Sequence, residues 1–264
     1  MQTYEFHSGT TPLLISIPHA GTYVPPDIKS HMTEAALLLP DTDRHVKTLY
    51  DFTQEMGANI LVATHSRYVI DLNRSSKNEN LYPEQVKTGL IPQKTFTGDD
   101  IYLTDIDLNP TERVEKYWRP YHAALIKELA LLKQKFGYAI LYDAHSIASQ
   151  VPRLFEGTLA DLNLGTVNGK TCASEIERII SRKLTSQNDF TAVINERFIG
   201  GYITRNYGQP KNNIHALQME LAQKNYMDET HPYAYQPERA KELQVILKDV
   251  IEALLNSKNL DIDR

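Results

Sequence analysis

Apolar residues fall along this chain in short β-branched runs separated by longer stretches of helical period, the pattern of strands alternating with helices. Leu13-Leu14-Ile15-Ser16-Ile17 is apolar on both faces, as a strand buried in a parallel sheet must be, and it delivers Pro18-His19-Ala20-Gly21 to a loop. Val46, Leu49, Tyr50, Thr53 and Met56 recur at helical spacing, which predicts a helix starting at Asp43, capped by Asp41 or Thr42 and stopped by Gly57. A second buried strand is expected over 59–64, and the apolar Tyr68-Val69-Ile70 reads as another strand end. Residues 111–136 predict a long helix kinked at Pro120, with Val114, Tyr117, Trp118, Tyr121, Leu125, Leu129 and Leu132 inward and Gly137 closing it. Residues 138–142 predict a central strand that ends in Asp143-Ala144-His145-Ser146. A helix over 173–184, a strand over 190–194 and a Gly/Asn-rich loop over 200–213 follow. Residues 214–221 alternate loosely and carry Glu220 among apolar neighbours, and the chain closes with a helix over 237–256 whose buried stripe is Val245, Ile246, Val250 and Leu254.

Composition narrows the classes of function. At 264 residues and 41% apolar content the chain can bury a full core, and a single domain is expected. A net charge of −5 without long charge runs supplies no broad basic surface, so a nucleic-acid partner is not expected. The first eleven residues lack a basic stretch followed by an apolar core, and no apolar run approaches the roughly 20 residues of a membrane span. A cytoplasmic protein with no membrane partner is therefore expected. The single Cys172 rules out an intrachain disulfide framework and reads as a small buried residue. No glycine pattern forms a strand-to-helix phosphate loop, and no Gly-x-Ser-x-Gly elbow marks a serine hydrolase.

Taken singly, each of the nine histidines reads as a hydrogen-bonded structural residue. Two of them, His19 and His145, are placed at strand ends, where open α/β sheets bind ligands, and carboxylates lie nearby. Imidazole nitrogens with a carboxylate oxygen suit Zn²⁺ with a fourth position left for water. Asp41 and Asp43 both stand at a helix start, where one can cap while the other faces the site, and spacing leaves open which. His45 is an outer partner of that cluster or a surface residue. Glu220 is either a paired edge residue or a general base whose proton affinity is raised by apolar surroundings. Arg67, Arg74, Arg153, Arg197 and Arg205 fall in loop-like or strand-end segments, and Asn73-Arg74 is the most suggestive position for holding a carboxylate.

These stretches, namely Ile17 to Gly21, Leu39 to Asp43, Ala63 to Arg74, Asp143 to Ser146, Asp161 to Thr166, Gly200 to Arg205 and Gln218 to Ala222, occur in an order that resembles the N-formylglutamate amidohydrolase (deformylase) family of histidine degradation. The family is in turn similar to zinc carboxypeptidases and aspartoacylases. The resemblance implies an α/β fold with a central mixed, mostly parallel sheet flanked by helices. It implies a zinc or other divalent ion held by His19, Asp43 and His145, an Asn73-Arg74 pair on a small N-acyl amino acid, and Glu220 as general acid and base; a dicarboxylate substrate would give Arg205 a place beside that pair. Carboxypeptidases take their acidic ligand three residues after the first histidine; here Thr22 stands there, so Asp43 or Asp41 takes that role. Serines 75 and 76 follow the Asn-Arg pair where the deformylases carry prolines. The alternatives are a related zinc deacylase or carboxypeptidase for another N-acyl amino acid, and a metal-dependent binding protein without catalysis.

Overall fold

A computed structural model describes residues 1–79, 88–103 and 107–257. Its strands are β1 (Tyr4–His7), β2 (Leu13–Ile17), β3 (Asn59–Ala63), β4 (Ala139–Ile147), β5 (Leu162–Gly165), β6 (Ala192–Ile194) and β7 (Ile214–Ala222). Its α-helices are α1 (Pro26–Lys29), α2 (Glu34–Leu37), α3 (Val46–Leu49), α4 (Pro110–Arg113), α5 (Arg119–Phe136), α6 (Ser174–Thr185), α7 (Tyr202–Tyr207) and α8 (Pro237–Asn256). The strands form one mixed sheet in the order β1-β3-β2-β4-β7-β5-β6. Its centre, β3-β2-β4-β7, is parallel, β1 and β5 join antiparallel to their inner neighbours, and β6 pairs parallel with β5.

Side chains alternate across a strand, so each apolar run serves two cores. Leu13, Ile15, Ile17, Ile140, Tyr142, Leu217 and Met219 pack on one face against α6 and α8. Leu14, Leu61, Leu141 and Ala216 pack on the other against α5, through Tyr121, Leu125 and Leu129. Past the last apolar residue the second face turns polar without changing parity. Leu141 is followed on it by Asp143 and His145, and Ala216 by Gln218 and Glu220.

Register decides where this polar strip lies. The β2–β4 ladder runs only from Leu13↔Ile140 to Ser16↔Asp143, whereas β4 and β7 stay paired through His145↔Glu220 to Ile147↔Ala222. The expected strand over 138–142 therefore extends to Ile147, and His145 stands inside it, yet beyond the carboxyl end of β2. The polar strip overhangs that end, at the position where open α/β sheets bind ligands.

Several expectations change. The helix expected from Asp43 is only α3, followed by a 3₁₀ turn over Asp51–Thr53, because His45 enters it left-handed (φ 61°) with no side-chain cap. Tyr68 and Val69 lie in a turn over 67–69 and Ile70 follows it without regular structure, so no strand forms there. The loop expected over 200–213 contains α7 and a 3₁₀ turn at Pro210–Asn212. Within α8, Val245 is 64% exposed, and Leu243, Leu247 and Ile251 join Ile246, Val250 and Leu254 in the core instead. The irregularity expected at Pro120 takes the form of a π turn over Val114–Trp118 between α4 and α5, where a proline without an N–H would otherwise strand a carbonyl. Gly137 closes α5 left-handed (φ 86°), donating to Lys133 O.

Candidate active site and metal centre

Asp43, not Asp41, meets the two histidines. The backbone N–H of Asp43 donates to His19 O at 3.1 Å, which folds the start of α3 against the loop leaving β2. Asp43 Oδ2 then lies 3.2 Å from His145 Nδ1 and 3.8 Å from His19 Nδ1, and it accepts the Ser146 N–H at 3.1 Å. One ligand atom from each of His19, Asp43 and His145 lies within 4.8 Å of the others, and all three residues are buried. Asp41 turns away: its Oδ2 accepts the Phe96 N–H at 2.9 Å, which anchors the 95–99 turn, and burial pushes its carboxyl up to about 6. His45 also lies outside the cluster, with Nε2 on Tyr233 O at 2.8 Å.

The far nitrogen of each histidine carries a carboxylate. His19 Nε2 is 2.8 Å from Asp71 Oδ1, and His145 Nε2 is 2.8 Å from Asp143 Oδ2. A carboxylate on Nε2 favours the proton there and a lone pair on Nδ1, the usual arrangement behind metal-bound imidazoles, and at His145 the Asn73 Nδ2 also lies 3.0 Å from Nε2. Both Nδ1 atoms face Asp43, whose Oδ1 is buried without a hydrogen bond. The donor set of two imidazoles and a carboxylate is that of a three-ligand zinc site. Charge acts differently on the two histidines. Burial works against a charged His145, yet Asp143, Asp43 and Glu220 outweigh it and raise its proton affinity well above the ordinary range. At His19 burial and Arg67 instead lower the proton affinity, which favours the neutral imidazole that a cation requires.

Glu220 stands opposite His145 across the β4–β7 ladder. It enters no ion pair among the described residues, and its Oε2 accepts from Gln218 Nε2 at 3.1 Å. Burial raises its carboxyl to about 8 against the opposing pull of His145. Among the described residues Glu220 is thus not a paired edge residue, and the groups that act on it are the ionisable His145, Asp43, Arg67 and Asp143 rather than an apolar shell.

With this geometry in view, comparison with known proteins is decisive. The family model of N-formylglutamate amidohydrolase matches residues 11–227. The chain is 45% identical over 254 residues to an N-formylglutamate deformylase of Pseudomonas putida, covering 95% of each chain. It is 44% identical over 257 residues to one of Pseudomonas aeruginosa, covering 96% of each. The chain belongs to the N-formylglutamate amidohydrolase family. As a member it is an amidohydrolase, and its fold agrees with solved structures. It superposes on an N-formylglutamate amidohydrolase from Ralstonia eutropha JMP134 with a TM-score of 0.80 at 24% identity, over 96% of this chain and 99% of that one. On the gene product Atu2144 from Agrobacterium tumefaciens the TM-score is 0.73 at 15% identity, over 96% of each chain.

In this amidohydrolase the cluster opens into a cavity lined by His19, His145 and Glu220 on one side and by Arg67, Arg74 and Arg197 around it. Arg67 donates to Asp71 Oδ2 at 2.7 Å and lies 4.8 Å under the Phe96 ring. Arg74 reaches Thr88 Oγ1 through Nε at 3.2 Å and Nη2 at 2.7 Å. Asn73 also lines the cavity, its Oδ1 accepting the Ile203 N–H at 2.8 Å. Arg205 does not line it, and its Nε donates to Gly200 O at 2.9 Å. Sequence reading passed over Asp71 and Asp143 as partners of the histidines, although Asp143 could have been read from its place two residues before His145 on the same strand face. Asp71 carried no such signal, since it is 52 residues from His19. Cys172 is buried and its thiol is pushed up to about 12, as befits a structural cysteine.

Proposed function

We propose that this chain hydrolyses N-formyl-L-glutamate to formate and L-glutamate, with His19, Asp43 and His145 holding a divalent cation, of which Zn²⁺ suits the donors best. The observation that carries the reading is the placement of Glu220 beside this cluster in an arginine-lined cavity. When bound, the cation supplies a Lewis acid that polarises a carbonyl oxygen and lowers the pKa of water toward about 7.

The chain's own residues do the rest. Asp71 and Asp143 keep both Nε2 positions protonated, so that each Nδ1 is free to ligate. Glu220 removes a proton from the attacking water as its oxygen adds to the formyl carbon. It returns that proton to the amide nitrogen as the C–N bond breaks, so one carboxyl serves as base and then as acid. Arg74, with Asn73, holds a substrate carboxylate through a guanidinium fork, which fixes the formyl group relative to Glu220. The substrate being a small charged solute, we place the reaction in the cytoplasm.

The test is formate release from N-formyl-L-glutamate by purified protein, before and after chelation and after Zn²⁺ is restored, alongside deacylation of N-acetyl-L-aspartate. Activity that is lost on chelation, returns with metal and favours the formyl substrate is expected. Faster turnover of the acetyl compound would move the assignment to another N-acyl amino acid, and activity indifferent to chelation would remove the metal from it.

A further inference from the structure

Asn73 and Arg74 sit in a segment, residues 66–74, that is neither strand nor helix although most of it is buried. Its carbonyls cannot be left bare, so their partners matter. Backbone N–H groups of Val69, Arg74 and Tyr202 reach the carbonyls of Ser66, Asp71 and Asn73, and four side chains supply four more. Tyr102 Oη donates to Tyr68 O, Arg113 Nη1 to Val69 O at 3.0 Å, His122 Nε2 to Leu72 O at 2.9 Å and Trp118 Nε1 to Arg74 O at 2.9 Å. Three of the four stand on the continuous helix formed by α4, the π turn and α5.

Helical phase explains why those three reach one segment. In an unbroken α-helix, residues five apart point about 140° away from each other, so Arg113 and Trp118 would face different neighbours. The π turn closes on the fifth residue, with Arg119 N–H donating to Val114 O, and brings Trp118 back toward the side of Arg113. His122 follows one α-turn later. Its ring stacks on Trp118 with centroids 3.6 Å apart, and Tyr207 of α7 holds its Nδ1 at 2.7 Å, which leaves Nε2–H for Leu72 O. From α7, Tyr202 packs its ring against both Trp118 and His122, and the next residue, Ile203, donates to Asn73.

We propose that Trp118 and His122 are positioning residues for substrate binding: phased by the π turn, they hold the carbonyls at 72 and 74 and so set where Asn73 and Arg74 present their side chains to the cavity. The inference rests on the reading that Arg74 contacts the substrate. It differs from simple capping of a loop in one respect, that its effect passes through Arg74.

The experiment is a double-mutant cycle on steady-state kinetics with N-formyl-L-glutamate. Trp118→Phe keeps an aromatic ring beside His122 and removes the indole N–H together with part of the ring that packs on Tyr202. We expect it to raise KM about fivefold, the change that loss of one neutral hydrogen bond produces, with kcat little altered. In the Arg74→Ala background it should add nothing further. A Trp118→Phe variant with unchanged KM, or one whose effect persists undiminished without Arg74, overturns the proposal. An Arg74→Ala variant with unchanged KM instead overturns the assignment of Arg74 itself, and the two failures are read separately. Should Trp118→Phe not fold by circular dichroism, the His122 pair decides: His122→Leu is expected to raise KM and His122→Gln, which restores a donor at the Nε2 position, to return it. Equal effects of Leu and Gln refute the inference.

Discussion

Asp71→Asn is the most demanding perturbation of the site, because one fully buried carboxylate serves three partners. Its Oδ1 accepts from His19 Nε2 at 2.8 Å and from the Asn73 N–H at 2.8 Å, and its Oδ2 accepts from Arg67 Nη2 at 2.7 Å. Burial opposes the charge, but His19 and Arg67 outweigh it and hold the carboxyl well below the usual range. In Asn the oxygen can keep the first two bonds, while the amide nitrogen meets Arg67 donor to donor. Arg67 would then keep only Asp43 Oδ1 at 3.8 Å and Asp41 O at 3.5 Å among its described polar partners. Removing one member of a buried ion pair costs about 3–5 kcal/mol. With a urea slope of about 3 kcal/mol/M, the midpoint of unfolding should fall by more than about 1 M. The measurement is made on chelated protein, so that metal linkage does not mask the loss. A second readout is Zn²⁺ affinity by competition with a chromophoric chelator, expected to fall about 10–100-fold as His19 loses its orienting carboxylate. Adding Arg67→Met should recover much of the stability, since both charges are then gone, but not the affinity. A loss below about 1 kcal/mol with unchanged Zn²⁺ affinity would show that Asp71 neither pairs with Arg67 nor orients His19 as described.

Other expectations are more local. Glu220→Gln should retain Zn²⁺ binding and fold while formate release drops about 10²–10⁴-fold, and undiminished turnover would remove Glu220 from proton transfer. A Cβ on Gly201 would stand 2.3 Å from Asn73 Nδ2, so Gly201→Ala should displace that amide and lower kcat/KM by up to about 10²-fold; wild-type kinetics would mean that the position of Asn73 is unimportant. His122 is held neutral by burial, which lowers its pKa from 6.5 to about 3. A depressed histidine contributes stability that is complete above pH 6.5 and is lost as pH falls toward 3. Denaturant unfolding of wild type should therefore decline more steeply than that of His122→Gln between these limits, by up to about 1.4 kcal/mol per pH unit, and parallel curves would contradict it.

Much of this architecture was legible along the chain because burial writes itself into short-range pattern. The continuous apolar run of β2, the amphipathic period of α5 and α8, and the glycine after α5 each follow from one face or both being withdrawn from water. Elements with weak patterns escaped. β1 is a mostly exposed edge strand of four residues, and α7 lies in a glycine- and asparagine-rich stretch that reads as loop. His19, His145, Asn73-Arg74 and Glu220 stood out because they interrupt or terminate apolar runs.

What the sequence alone determined, then, was which residue types stand at the ends of which strands, since side-chain alternation assigns Asp143 with His145 and Gln218 with Glu220 to common faces once the strands are known. Which of these groups meet was decided by the tertiary structure. The choice of Asp43 over Asp41 turns on a left-handed His45 and a backbone bond to His19, and the partnership of Asp71 with His19 on a turn that local pattern mistook for a strand end. His145 faces Glu220 only because β7 docks beside β4 in one register, and a slip of one residue would send that glutamate to the opposite core. Pairing energies of this kind depend on contacts between distant segments, and they leave no mark on the order of neighbours along the chain.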